Sequence, residues 1–453
     1  MKWLALVLLG ACSSMAPKYE RPAAPVPANL PGGAGAQTAL PWAQFVHEPR
    51  LRQVIAQALG QSRDLRKAAL DIESARAQYR IQRAQALPSI DATANITSAR
   101  QLIGTHDNAT IRTTIYTAQV GLASWEIDLF GRLKSLSNAK LQTYYSIVEV
   151  AKATRISLIG EIASAWLTLA ADRSRLAIAN DTMASGKRTM ELTDQLVVGG
   201  TSNRGDFYQA STVFEQARAD VALLTAAIAQ DRDAIDLLAG SPVADTLLPD
   251  ALPEQLDWFA DVPVGLSSAV LLERPDVLAA EHNLMAANAN IGAARAQFFP
   301  SFTLTASGGL ASATLASLFS GPAAVFAIVP NLAMPLFNGG ANRANLDYTV
   351  AQKQGLVASY ELAIQSAFRD VADALATRGT IEEQLSAQVA LVEAATKSFD
   401  LAQARFKAGV DPFLATLISQ RALYGAKNSL VATQLAALGN RVTLYRVLGG
   451  GLE

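Results

Sequence analysis

Cysteine is almost missing from this chain. One residue, Cys12, among 453 excludes an internal disulfide framework and a thiolate zinc cage. Histidine is nearly as scarce, and His47, His106 and His282 are too scattered in sequence to suggest a triad or a metal cluster. There is no Gly-x-Ser-x-Gly elbow, no His-Glu-x-x-His pair and no Gly-x-x-x-x-Gly-Lys loop, so neither catalysis nor a bound cofactor is expected. Gly199-Gly200, Gly339-Gly340 and Gly449 to Gly451 read as helix ends and turns. Net charge is −1 without a dense Lys/Arg block, which argues against a nucleic-acid partner. Long apolar runs are missing too. Beyond the N-terminus the longest is Ala323 to Val329, far short of the ~20 residues of a membrane-spanning helix. Half the residues are hydrophobic and 17% are charged, so wholesale disorder is excluded as well.

Proline is absent where it would break helices. None occurs between Arg132 and Gly240, or between Leu336 and Asp411, and both stretches are rich in Ala, Leu, Gln, Glu, Arg and Lys. Apolar residues recur there at spacings of three and four, as in Ile159, Ile162, Trp166 and Leu169, or Leu385, Val389, Val392 and Phe399. Such stripes make coiled-coil-like seams. Some 65 helical residues would reach about 100 Å, about six times the length of an average globular helix.

What is present is said twice. Arg83-Ala84-Gln85-Ala86-Leu87-Pro88-Ser89 returns 212 positions later as Arg295-Ala296-Gln297-Phe298-Phe299-Pro300-Ser301. Each copy leads into an alternating segment, a Leu-Phe pair, a long proline-free stretch and a glycine turn. This predicts one structural unit built twice, each half needing the other to bury its apolar faces. The alternating runs are Ile90 to Ile96, Tyr116 to Leu122, Phe302 to Ala306 and, less cleanly, Phe326 to Met334. Period-2 alternation gives a strand with one apolar and one polar face. A soluble sandwich would suit any one hairpin. Four strands of transmembrane length suit a membrane barrel, but four cannot close one, so several chains must pool them.

The N-terminus has the shape of a secretory signal: a positive Met1-Lys2, an apolar Trp3 to Leu9, then Leu9-Gly10-Ala11-Cys12. Small residues ending on the only cysteine resemble the bacterial lipobox, which predicts lipidation of Cys12, and Ser13 after it favours the outer membrane; an ordinary signal with an incidental cysteine is the alternative. The expected layout is a signal at 1–11, a lipidated Pro/Gly-rich tether at 12–41, and a first repeat at 42–240 with a hairpin at 88–125. A linker at 241–275 and a second repeat at 276–453, with a hairpin at 300–336, follow.

Leu272-Glu273-Arg274-Pro275-Asp276-Val277, Ala279-Ala280-Glu281, Ala286 to Gly292 and Phe298-Phe299-Pro300 resemble the signature of TolC-type outer-membrane factors. So do Trp125 to Gly131 and the ending Leu444 to Gly451, and the lipoprotein branch serving RND efflux pumps (OprM/NodT-like) is the nearest in kind. The resemblance covers essentially the whole mature chain. It implies an α+β membrane protein with a long α-helical, coiled-coil-like barrel. Four transmembrane strands per chain would close as a twelve-stranded barrel in a homotrimer embedded in outer-membrane lipid. It also implies a periplasmic adaptor protein and an inner-membrane RND transporter as partners. A type I secretion duct is the alternative, and a non-channel periplasmic coiled-coil lipoprotein a more distant one.

Within that resemblance, the turns Gly200 to Asp206 and Gly409 to Leu414 lie at the periplasmic entrance. Asp206 matches a position that bonds across to the second turn. Its family partners, a tyrosine and an arginine, are replaced here by Phe406 and Asp411, so Asp411 is expected to pair with Arg204 instead. Capping of helix N-termini by Asp206 and Asp411 is the competing reading. Leu414 and Arg421 match constriction positions, and Ile418 stands where the branch places an aspartate. Leu414 and Ile418, one turn apart, would form an apolar plug; packing of Ile418 in the helical wall is the alternative.

Overall fold

The computed structural model describes residues 14–30, 40–102, 110–261 and 267–451. The lipobox, Cys12 and the hairpin tip around Gly104 to Asn108 lie outside the described residues. The elements repeat in kind and in length. Helix α1 (Pro49–Gln61) precedes α2 (Arg63–Ala84), strands β1 (Ile90–Leu102) and β2 (Thr110–Ile127), and helices α3 (Arg132–Val198) and α4 (Arg204–Ala239). The second copy runs α5 (Pro275–Ala296), β3 (Ser301–Ser312), β4 (Ala324–Ala333), α6 (Ala341–Lys407) and α7 (Phe413–Val447). Helices α2 and α5 are both 22 residues, and α3 and α6 are both 67. Both repeats of the Arg-Ala-Gln motif end a helix in the same way. Leu87 N–H donates to the Ala84 carbonyl and Phe299 N–H to the Ala296 carbonyl, after which the proline starts an extended segment. No described helix is long and apolar enough to cross a membrane.

The described chain forms two units, and these cut across the two sequence repeats. One comprises Met1–Ala23 (described from residue 14), Asp71–Val148 and Ala279–Glu361; the other comprises Ala24–Leu70, Glu149–Leu278 and Leu362–Glu453. In the first unit both repeats give their strands to a single antiparallel sheet of order β1-β2-β3-β4.

The register of that sheet explains the alternation. Ile90, Ala94 and Ile96 stand opposite Leu122, Ala118 and Tyr116, while Leu122 stands opposite Ala306, and Ala306 opposite Ile328. The apolar series of β2 shifts from even positions (Tyr116 to Leu122) to odd ones (Trp125, Ile127). One β-bulge between Leu122 and Trp125 absorbs the shift, with Ser124 held at φ 46°. It restores Trp125 opposite Leu304 and Ile127 opposite Phe302, so all four strands present one apolar face. That face has no cover among the described residues: Ile90 is 74% exposed and Phe326 85%. Strand β2 is longer at both ends than its clean alternation, and Met334 falls just beyond β4.

Residues 14–30 of the N-terminal segment are held by side-chain bonds. Ser14 Oγ lies 2.8 Å from Ser135 Oγ, Asn288 Nδ2 donates to the Pro17 carbonyl, and Arg21 grips the buried Glu281 through Nε (2.7 Å) and Nη2 (2.5 Å). Tyr19 O–H donates to the same carboxylate at 3.1 Å. Burial first, and the Glu281 charge second, push the Tyr19 hydroxyl well above the ordinary phenol range. The Pro-rich composition fixes an extended path, and side chains at its edges then staple that path down.

In the second unit the proline-rich stretch after α4 carries two 3₁₀ turns, Asp245–Leu247 and Ser268–Glu273. It packs closely on the helices. Trp166 is fully buried against Trp258 at 4.7 Å and donates its Nε1–H to the Leu247 carbonyl, while Phe45 stacks between Tyr445 and Phe259. The α3 stripe of Ile159, Ile162, Trp166 and Leu169 is buried as its spacing predicts; the α6 stripe is not, for Val389 is 51% exposed.

Candidate functional site

The two helix–helix turns, both in the second unit, are built alike. Helix α3 stops at Gly200 (φ 73°) and α6 at Gly409 (φ 70°), left-handed positions that suit only a residue without Cβ. Thr201 N–H returns to the Leu196 carbonyl and Val410 N–H to the Arg405 carbonyl, the reversed bond that ties off a helix end. This matched pair is the strongest sign that the turns are equivalent parts of a duplicated unit.

Around them the sequence expectations divide. Asp411 does not pair with Arg204: Arg405 holds it through Nε (2.6 Å) and Nη2 (2.8 Å). The Schellman turn folds Asp411 back over the last turn of α6, where Arg405 already lies, whereas Arg204 begins α4 as an exposed residue. The guanidinium bond keeps the Asp411 carboxyl below its ordinary range. Neither aspartate caps a helix. Asn203 caps α4, its Oδ1 accepting from Asp206 N–H, and α7 starts after Pro412 without a side-chain cap. Asp206 instead accepts from Ser202 Oγ at 2.8 Å, near the positive end of the α4 dipole. Phe406 is not at a surface latch but packs with Ala210, Val213, Phe413 and Leu417, its ring 5.4 Å from that of Phe413.

Helix α7 is two-faced here. Phe413, Thr416, Leu417 and Gln420 are buried, while Leu414 (49% exposed), Ile418 (60%), Arg421 and Gly425 line the open face at spacings of four and three. Two further bonds join α7 to α4. Arg421 Nη2 donates to Thr212 Oγ1 at 2.6 Å, and Tyr424 O–H donates to Asp220 Oδ2 at 2.7 Å. Burial, then the Asp220 bond and charge, push the Tyr424 hydroxyl up to about 12. Arg405, Thr212, Asp220 and Tyr424 were missed in the sequence. Only the position of Tyr424 three residues after Arg421 could have marked one of them, because its partner lies 204 residues away. Among the described residues no group of three His, Cys, Asp or Glu side chains could hold a metal ion.

A family model, that of the outer membrane efflux protein, matches residues 54–241 and 266–450 of this chain. The chain belongs to the outer membrane efflux protein family. The two matched segments fall on the two repeats. Similar members include the solvent efflux pump outer membrane protein SrpC of Pseudomonas putida, 44% identical over 99% of this chain and 97% of that one. Outer membrane protein OprJ of Pseudomonas aeruginosa is 41% identical, over 99% and 95%. Among solved structures, a Pseudomonas aeruginosa membrane protein superposes with a TM-score of 0.91 at 40% identity, over 97% of this chain and 98% of that one. The open state of the Neisseria gonorrhoeae MtrE outer membrane channel does so with 0.84 at 36%, over 97% and 99%. This efflux family member is thus an outer-membrane channel protein of the TolC type, built of long helices and a four-stranded transmembrane sheet.

Proposed function

We propose that three copies form the passive exit duct of a tripartite efflux pump. The sheet carries the reading: it has two unpaired edges, β1 and β4, and one apolar face left bare in the chain. An open edge is not tolerated in lipid, and three copies pool twelve strands, an even number in the range of known barrels. The duct has no catalysis and no cofactor of its own, so the energy comes from an inner-membrane transporter of the RND type, reached through a periplasmic adaptor. Covalent lipid on Cys12 adds a second hold on the outer membrane. The names of relatives such as SrpC favour small apolar toxic compounds as cargo, over the secreted proteins of a type I system.

In the resting duct the bare face of α7 turns to the axis, and Leu414 and Ile418 form a dry apolar plug. Asp206 steadies its own turn and Arg405–Asp411 the other, while Arg421–Thr212 and Tyr424–Asp220 hold α7 to α4. Native mass spectrometry of the detergent-solubilised protein tests the assembly. Three chains are expected, and a stable monomeric barrel would overturn the reading.

A further inference from the structure

The two repeats share one chain but not one environment. The Leu129-Phe130 pair that follows β2 is half-buried, and the Phe130 ring stacks on that of Phe299 at 4.9 Å between centroids. Phe299 belongs to the Arg-Ala-Gln motif of the other repeat. The contact therefore seals the foot of the β2–β3 seam, where the repeats meet in the sheet. The equivalent pair, Leu336-Phe337, follows β4 and is bare, each residue 90% exposed. The counterpart of Phe299 in the first repeat is Leu87, just before β1, and it is 66% exposed. The helices behind these pairs differ in the same way. Helix α5 packs on α3, with Ala286 and Ala289 against Ala139, and a Cβ on Gly292 would stand 2.7 Å from Ser135 Oγ. Its equal in the first repeat, α2, buries no residue at all. Clustered bare apolar groups mark a contact surface.

Duplication identifies what covers it. Inside the chain, the first repeat's Leu-Phe pair closes on the second repeat's motif. In a ring joined β4 to β1, the seam between copies brings the second repeat's pair to the first repeat's motif in the next copy, and those two edges are the free ones. Two β4 edges joined about a two-fold axis would instead set Leu336-Phe337 against itself and leave Leu87 bare. We propose that Leu336 and Phe337 dock on Leu87 of the next copy, with the start of α6 laid along that copy's α2. The seam between copies then repeats the seam inside the chain. The register carries over as well. Ile127 stands opposite Phe302 inside the chain, so Met334 should stand opposite Ile90 of the next copy. Both are bare in a single chain, at 54% and 74% exposed. The contact rests on the trimeric ring of the proposed function.

Paired cysteines test it, in the full-length protein extracted in mild detergent. Leu87→Cys/Phe337→Cys, treated with a short bismaleimide, should run as covalent dimers and trimers on denaturing gels. Each single variant should stay monomeric there, and both keep Cys12, so a link through that residue would show in them. Dimers from Phe337→Cys alone would mean that like edges had joined, and would overturn the docking. Phe337→Ala supplies a second measurement. The side chain is bare in a single chain, so the fold of one copy loses nothing, yet the trimer should dissociate about tenfold faster. An unchanged lifetime overturns the contact. Native mass spectrometry of the wild type separates the two layers: a trimer whose cysteine pair does not link refutes only the Leu87 contact, whereas absence of a trimer refutes the ring beneath it.

Discussion

Tyr424→Phe keeps an aromatic ring and removes only the O–H that donates to Asp220 at 2.7 Å. A hydrogen bond to a charged acceptor contributes about 1.5–3 kcal/mol, and partial solvent access at this site trims that to about 1–2 kcal/mol. Asp220 keeps its bond from Gln216 Nε2 at 2.9 Å, so no orphaned carboxylate enlarges the loss. If three copies open together, the closed state loses about 3–6 kcal/mol, enough to raise the open-to-closed ratio roughly a hundredfold or more. Planar-bilayer recordings at neutral pH should show that rise. The pH dependence supplies an independent check. The Tyr424 hydroxyl titrates at about 12 in the fold against an ordinary 10.0, so its bond is fully present below the ordinary value and lost as pH rises through the folded one. The wild type should therefore begin to open in that alkaline window, and Tyr424→Phe, already without the bond, should not respond. A variant that conducts like the wild type at neutral pH would refute the latch and leave the Arg421–Thr212 bond and the Phe413 cluster to tie α4 to α7.

Ile418→Asp would set three like charges around the constriction; at ~6–8 Å and an effective dielectric of ~20 each pair repels by about 2–3 kcal/mol, so conductance should rise, and rise again with Leu414→Ala. Unchanged currents in both would place these residues in the wall. Radiolabelled palmitate should enter the wild type and not Cys12→Ala, and equal labelling would rule out the lipobox. Arg21→Ala leaves the Glu281 carboxylate buried with Tyr19 as its one hydrogen-bond partner among the described residues. It should loosen the N-terminal segment by about 2–4 kcal/mol, read as faster limited proteolysis there, and an unchanged cleavage rate would contradict the staple. In Gly121→Val a Cβ would stand 2.6 Å from the Ala306 carbonyl oxygen where β2 meets β3. The assembly's melting midpoint on gels should fall by several degrees, as expected for about 1–3 kcal/mol of strain.

Much of the fold was legible because its signals are local and periodic. Alternation marked the strands, proline gaps marked α3 and α6, and the Arg-Ala-Gln repeat marked the duplication. The bulge at Ser124 could be seen only as a change of parity between Leu122 and Trp125; its meaning came from the facing strand. The turn site was harder. Its glycines were readable, since a left-handed helix end needs them, but ion-pair partners were not. Asp411 had two arginines within reach of a guess, and the backbone's return over α6 decided for Arg405. The docking of residues 14–30 was hidden for the same reason: Arg21 and Glu281 meet across 260 positions. The uncovered α6 stripe at Val389 shows the converse limit, for a seam's spacing does not tell which chain will fill it.

The sheet order has one more consequence. Its free edges are unlike, β1 from the first repeat and β4 from the second, so copies can close a ring only by joining head to tail, β1 of one to β4 of the next. Such joining gives the ring a direction of travel and no two-fold axis, and an even strand count lets the final seam stay antiparallel. It also makes the assembly a closed chain of single links. One subunit with a spoiled β1 or β4 edge would break any ring it enters, so in cells carrying mixed copies the working channels should fall faster than the share of sound subunits.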